Sequence, residues 1–204
     1  MMVLLIGIAG RTHAGKTTLA NWLSHVHGWK VTSFAEPLRS ELAAAWFRRA
    51  PKRAREKWSV LEAENAALTR PLLQAWGHGR RVIEHDDYWV VALFNSIDWD
   101  TDGVILIDDV RYPNEIAAIL EQGGLIIRLH ITEEEAVARG ADPLTLEHAS
   151  ENAISHTLTL SECAMRDRVF VAATNDIIHR IQEHTDAFLR KVAPDAPVKM
   201  GGGA

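Results

Sequence analysis

The chain has one cysteine, Cys163, in 204 residues. It cannot close an intrachain disulfide, which suits a reducing compartment, and the cytoplasm is the expected location. One cysteine also cannot build a Cys-rich zinc site, and none of the ten histidines falls in an H-E-x-x-H pattern. The histidines are read as surface, packing or substrate-contact residues. No apolar run approaches the roughly 20 residues that a membrane helix needs. The apolar start lacks a signal peptide's basic flank and reads as a core strand. Positive charge is short as well: the formal net charge is −5. That argues against general affinity for nucleic acid, so no stable nucleic-acid binding is expected beyond a local basic patch. Repeats are missing, and low complexity is confined to residues 193–204, which should form a disordered tail. What is abundant is apolar surface. At 47% hydrophobic residues, the chain suits one domain over residues 1–192 with a sizeable core. A homodimer stays possible.

The strongest positive signal follows the first apolar run. Gly10, Arg11, Thr12, His13, Ala14, Gly15, Lys16 and Thr17 spell G-x-x-x-x-G-K-T, the P-loop pattern, with Thr18 next. Two glycines at that spacing let the backbone curl until successive N–H groups point inward at phosphate oxygens. Lys16 then serves as a point charge on the β- and γ-phosphates, and the Thr17 hydroxyl is placed to hold Mg²⁺. The pattern needs a strand before it and a helix after it. Val3 to Ile6 supply the strand. Leu19, Trp22, Leu23 and Val26 recur at helical spacing, with Gly28 as the stop. An anion there would also meet a helix N-terminus.

Beyond Gly28 the chain alternates. Residues 29–34 read as a short strand, and a helix opens at Ala35 with Pro37 early in it, where a missing N–H does no harm. Arg48, Arg49, Lys52, Arg53, Arg55 and Lys57 form a basic run, either a solvated face or a contact for an anion. A helix is expected over 62–76, broken at Gly77-His78-Gly79, with Arg70 and Gln74 sharing a face. Another should cover 87–97. Its Trp89, by spacing alone, reads as core packing. Val104 to Asp109 is a Walker B-like strand, four apolar residues followed by aspartates, which would place Asp108 beside the P-loop to bind Mg²⁺. A helix over 114–122, a strand over 125–129, a strand over 168–173 and a helix over 177–189 complete the series. Residues 132–155 are polar and acidic with Gly140 and Pro143 as breakers, a candidate lid or an ordinary surface loop, with Arg139 a candidate cation. The fold class is therefore α/β: a P-loop fold with a mainly parallel five-stranded sheet flanked by helices.

Several stretches in one order resemble the phage deoxynucleoside monophosphate kinases, relatives of the adenylate kinase group. They are the P-loop, Ser33-Phe34-Ala35-Glu36-Pro37-Leu38, Arg70-Pro71-Leu72-Leu73-Gln74-Ala75-Trp76-Gly77 and Asp87-Tyr88-Trp89. Then come Ile107-Asp108-Asp109-Val110-Arg111-Tyr112-Pro113-Asn114-Glu115 and His148-Ala149-Ser150-Glu151. The resemblance implies ATP on the P-loop and a helical acceptor-binding region at about residues 35–100. It implies that Glu36, Arg70, Gln74, Trp89, Asp109 and Arg111 surround a nucleoside monophosphate, with Asp108 nearer the metal. Lys16, Arg70, Asp109 and Arg111 are the implied catalytic set. Two features depart from the family: Thr17 stands where many members carry Asp, and Gly77 to Arg80 replaces the usual Gly-Thr-Glu.

The residue types suit that chemistry. A monophosphate oxygen is already ionised near neutral pH, so positioning and charge neutralisation suffice. A hydroxyl acceptor would need a carboxylate base, and Asp109 could serve, so a dephospho-coenzyme A kinase-like enzyme is the alternative. A P-loop ATPase or a binding-only module is a third option.

Overall fold

The computed structural model describes residues 3–49, 51–100, 103–142 and 169–173, with 187 and 190 as isolated helical positions. The expected terminal helix at 177–189 (residue 187 apart), the tail at 193–204 and residues 143–155 lie outside them. The chain divides into two compact units: Met1–Thr32 with Trp99–Ala204, and Ser33–Asp98.

The first unit is built on a parallel sheet. Its strands are β1 (Val3–Gly10), β2 (Lys30–Thr32), β3 (Gly103–Val110), β4 (Leu125–His130) and β5 (Val169–Ala173). They form a five-stranded sheet in the order β2-β3-β1-β4-β5, every pair parallel. β1 lies at the centre and is buried from end to end. Central position explains its composition: a strand covered on both faces needs a continuous apolar run rather than alternation. Helix α1 (Lys16–His27) packs on one face. There Leu4, Ile6 and Ile8 of β1 meet Leu19, Ala20 and Leu23, together with Val104 and Leu106 of β3. Helix α6 (Pro113–Glu121) covers β1 and β4. On that side a Cβ at Gly7 would stand 2.7 Å from Ile119 Cδ1 and 2.8 Å from Ile126 Cδ1. Gly7 is therefore set by packing, not by the phosphate loop.

The second unit is helical: α2 (Ala35–Trp46), a short 3-10 turn (Pro51–Arg53), α3 (Ala54–Glu64), α4 (Ala66–Ile83) and α5 (Tyr88–Ser96). Trp58 is fully buried in its core beside Leu42, Ala43 and Ala54, and its Nε1 donates to Glu62 at 3.1 Å. Arg39 donates to both oxygens of Glu62 at 3.1 and 3.2 Å, which ties α2 to α3. Glu41 collects the other end. Its carboxylate accepts from Trp76 Nε1 at 3.1 Å, Tyr88 Oη at 2.9 Å and Arg80 Nε at 2.6 Å. The hydrogen bond to Glu41 raises the Arg80 guanidinium above its ordinary pKa. Burial, with Glu41 second, pushes the Tyr88 phenol up. Arg80 also lies over the Trp76 and Tyr88 rings. It is a structural cation.

One boundary differs from expectation. No helix break occurs at Gly77-His78-Gly79; α4 runs through to Ile83, and the interruption falls instead at Asn65, between α3 and α4. Gly77 is helical because a close neighbour requires a small residue: an added Cβ would meet Leu38 Cδ2 at 3.3 Å. Tertiary packing outweighs the roughly 1 kcal/mol that glycine costs in a helix.

Replacing Trp58 by Ala removes the largest side chain in the helical core and should cost about 3–5 kcal/mol. Trp46, half-exposed, should cost well under 1 kcal/mol when truncated, as surface changes generally do. Chemical denaturation of the two variants checks the order. Equal losses would mean that Trp58 does not organise this unit.

Candidate active site

The loop after β1 has the backbone that its sequence requires. Gly10 has φ +152° and Gly15 φ +89°, both left-handed. At Gly10 a Cβ would also stand 2.7 Å from the carbonyl oxygen of Leu129, so neither the angle nor the space admits a side chain. His13 takes φ +59° as a non-glycine residue, a conformation that costs energy and gathers at functional loops. Ala14 is buried and joins the α1-side core, which anchors the loop from below. Arg11 and Thr12 are half-buried and Thr17 and Thr18 exposed at the start of α1.

Lys16 is 8% exposed, and its ammonium donates to the carbonyl oxygens of Gly10 at 2.6 Å and Arg11 at 2.8 Å. The positive charge thus lies across the mouth of the loop. Thr17 Oγ1 donates to Asp108 Oδ2 at 2.9 Å. This bond joins residues 91 positions apart and brings together the two expected metal ligands.

Asp108 reaches that position by the ordinary alternation of β3, just as the strand becomes irregular. Gly7 pairs with Ile107, and Ala9 pairs with Val110, so two steps on β1 oppose three on β3. The extra residue falls at Asp108–Asp109. Asp108 prolongs the row of Val104 and Leu106 that faces α1. The bulge then returns Val110 to the α6 side, 3.0 Å from the Cβ position of Gly7. Bulges beside functional sites re-aim side chains in this way. Asp109 and Arg111 are half-buried at the carboxyl end of β3, the end of open α/β sheets where ligands gather.

Beside the loop, at the ends of β1 and β4, lies a cleft of about 240 Å³. Its polar lining is Arg11, Arg128, His130 and Thr132. Sequence reasoning missed it, because Arg128 and His130 read only as the end of a buried strand. Arg11 also pairs with Glu133 at 3.8 Å, a loose and partly exposed contact.

Residues 132–142 are the described part of the candidate lid. Thr132 and Glu135 form a capping box for a short helix, α7 (Glu133–Ala138). Ile131, Ala136 and Ala141 are buried in the same core cluster as Ala14 and Leu19. This portion is fastened to the core.

In the helical unit, the residues that the resemblance implied fare differently. Arg70 and Gln74 are exposed on α4, one turn apart. Glu36 accepts a two-pronged contact from Arg55 at 2.9 and 2.8 Å. Trp89 is a correction: it is 2% exposed, its Nε1 donates to the Gly77 carbonyl at 2.9 Å, and Tyr88 packs edge-on against it. A ring so enclosed cannot stack on a ligand. The composition of α5, apolar on its buried side, already pointed that way.

Among the described residues no group of three or more His, Cys, Asp or Glu could hold a metal. Two hard oxygens, Thr17 Oγ1 and Asp108 Oδ2, instead suit a cation such as Mg²⁺ that keeps waters and phosphate oxygens as its other ligands. The loop N–H groups, Lys16 and the α1 N-terminus suit a polyphosphate.

No protein-family model matches the chain, and no curated protein matches it. Among solved structures, it is similar to shikimate kinase from Acinetobacter baumannii in complex with shikimate. That match has 12% identity and a TM-score of 0.46 and covers 96% of each chain. It is also similar to deoxyadenosine kinase from M. mycoides with products dCMP and a flexible dCDP bound. There identity is 13% and the TM-score 0.37, over 92% of this chain and 98% of that one. No helix among the described residues is long and apolar enough to cross a membrane.

Hydrogen exchange of the ligand-free protein should show slowed amides at Ala136, Arg139 and Ala141, which donate to Thr132, Glu135 and Ala136. Exchange there as fast as in an unstructured peptide would mean that α7 does not persist without ligand.

Proposed function

We propose that the chain transfers the γ-phosphoryl group of ATP to a (deoxy)nucleoside monophosphate, giving the diphosphate and so supporting nucleotide supply for DNA synthesis. The observation that carries this reading is the 2.9 Å bond between Thr17 and Asp108 at the mouth of the phosphate loop. It joins the loop threonine and the strand carboxylate that a phosphoryl-transfer site needs around its metal.

Mg²⁺, held by Thr17 and Asp108, would supply neutralisation of the phosphate charge. The chain's own residues do the rest. The loop backbone and Lys16 hold the donor phosphates. The cleft lined by Arg11, Arg128 and His130 takes the part of the nucleotide beyond them. Asp109 and Arg111, at the carboxyl end of β3, are assigned to the acceptor side. In the helical unit Arg70 and Gln74 are assigned to acceptor recognition, Arg70 for the phosphate and Gln74 for the base, because bidentate guanidinium suits phosphate. Arg70 makes no hydrogen bond or ion pair among the described residues. Glu36 keeps a role only through its pair with Arg55. No strong base is required, since the attacking phosphate oxygen is already ionised. Cytoplasmic location remains part of the proposal.

Incubating the protein with ATP, Mg²⁺ and each common ribo- and deoxynucleoside monophosphate should yield ADP and a diphosphate with at least one acceptor. Dephospho-coenzyme A serves as the hydroxyl control. ADP formed without any acceptor dependence would leave an ATPase instead. Lys16→Ala should abolish turnover, and Asp108→Asn should weaken Mg²⁺-dependent activity while the fold survives. Near-normal turnover in a folded Lys16→Ala protein would sink the kinase reading.

Arg70→Lys should raise the acceptor KM and lower kcat, with ATP affinity unchanged when measured alone. Loss of a positioned arginine at a transferring phosphoryl can cost about 10³-fold or more in rate. Untouched monophosphate kinetics would remove Arg70 from the acceptor site.

A further inference from the structure

Glu115 carries a carboxyl group, yet it is only 2% exposed. It stands in the first turn of α6, three residues after the Tyr112 N-cap. From there its Oε2 accepts the backbone N–H of Tyr112 at 3.0 Å and that of Arg111 at 2.7 Å. The Tyr112 bond is what a capping box would supply. The Arg111 bond is not. Arg111 lies one residue outside the cap, and the helix does not need its N–H satisfied.

The same chain contains an ordinary capping box for comparison. In α7 Glu135 is exposed, and among the described residues its carboxylate accepts the N–H of its N-cap, Thr132, at 3.0 Å and no other backbone N–H. Glu115 differs in both respects: it is buried, and it reaches one residue further back. Burying a carboxylate is expensive unless hydrogen bonds hold it. Both of these bonds go to the stretch that leads from β3 into α6. That stretch is already constrained at its other end, where the bulge at Asp108–Asp109 sets Val110 opposite Ala9. The backbone of Arg111 is thus clamped between the bulge and a buried carboxylate.

We propose that Glu115 is a positioning residue for Arg111: it holds the Arg111 backbone at the carboxyl end of β3 so that the guanidinium is presented in one orientation. This rests on the reading of Arg111 as an acceptor contact. Glu115 itself touches no substrate, and its effect passes through the Arg111 amide.

Both N–H groups meet one oxygen, so an amide oxygen can replace it. Glu115→Gln should therefore restore what Glu115→Ala loses. Steady-state kinetics of the full chain, with dAMP, dGMP, dCMP and dTMP each as acceptor, read this directly. Glu115→Ala should raise the acceptor KM about tenfold, the scale of one or two lost hydrogen bonds. The KM for ATP should stay within about twofold, and Glu115→Gln should lie within about threefold of wild type on the same scale. The double variant with Arg111→Ala should be no worse than Arg111→Ala alone, since two residues acting as one unit do not add. If Glu115→Ala does not fold, Glu115→Asp, one methylene too short to reach both N–H groups, takes its place.

An effect of Arg111→Ala without one of Glu115→Ala would overturn the proposal, as would fully additive losses. So would equal losses for ATP and acceptor that Gln does not rescue, because that pattern marks a residue needed only for folding. If Arg111→Ala itself leaves acceptor kinetics unchanged, the acceptor role of Arg111 fails first, and the proposal for Glu115 falls with it.

Discussion

The hydrogen bond from Thr17 to Asp108 is the contact on which the site depends. It spans 2.9 Å and joins the first turn of α1 to the end of β3. Neither residue can be there unless two other conditions hold. β3 must lie beside β1, and α1 must start where the phosphate loop ends. Parallel pairing of β1 with β3 meets the first condition. Gly15, left-handed at the N-cap of α1, meets the second. Gly7 contributes from beneath: only a residue without a side chain lets Ile119, Ile126 and Val110 close on β1 from the α6 side.

The helical unit is held by a different kind of force. Its apolar core around Trp58 is small, and polar contacts join the helices around it. Arg39 with Glu62, and Arg55 with Glu36, connect α2 to α3. Glu41 gathers Trp76, Arg80 and Tyr88 from α4 and α5. Partly exposed ion pairs contribute little individually, on the order of 0–1 kcal/mol. Their value here is geometric. Each carboxylate accepts at least two hydrogen bonds, so each fixes the rotation of one helix against another and occupies cations that would otherwise face solvent. Arg80 and Arg55, basic in sequence, are committed in this way. Arg70 and Gln74 remain exposed on α4.

The sequence by itself determined the α/β class, the central strand and the phosphate loop. These are local features: an unbroken apolar run, two glycines at fixed spacing and a lysine–threonine pair are each legible without knowing what lies opposite. It also determined β3 and its terminal aspartates, because a buried strand ending in a carboxylate is a short-range pattern. Tertiary structure decided the rest. Whether Gly77 ends a helix depends on Leu38, a residue 39 positions earlier. Whether Trp89 stacks on a ligand or fills a core depends on what encloses it. Residues 132–155 read as a lid or a surface loop because they are polar and contain breakers; that Ala136 and Ala141, with Ile131 before them, join the core is visible only in the folded chain. The bulge that returns Val110 to the α6 side leaves no mark in β3 alone, since it is a relation between two strands. Glu115 looks like a common helix-capping glutamate until its burial and second bond are seen. Local chemistry is written along the chain, whereas burial and register arise only when distant segments compete for the same space.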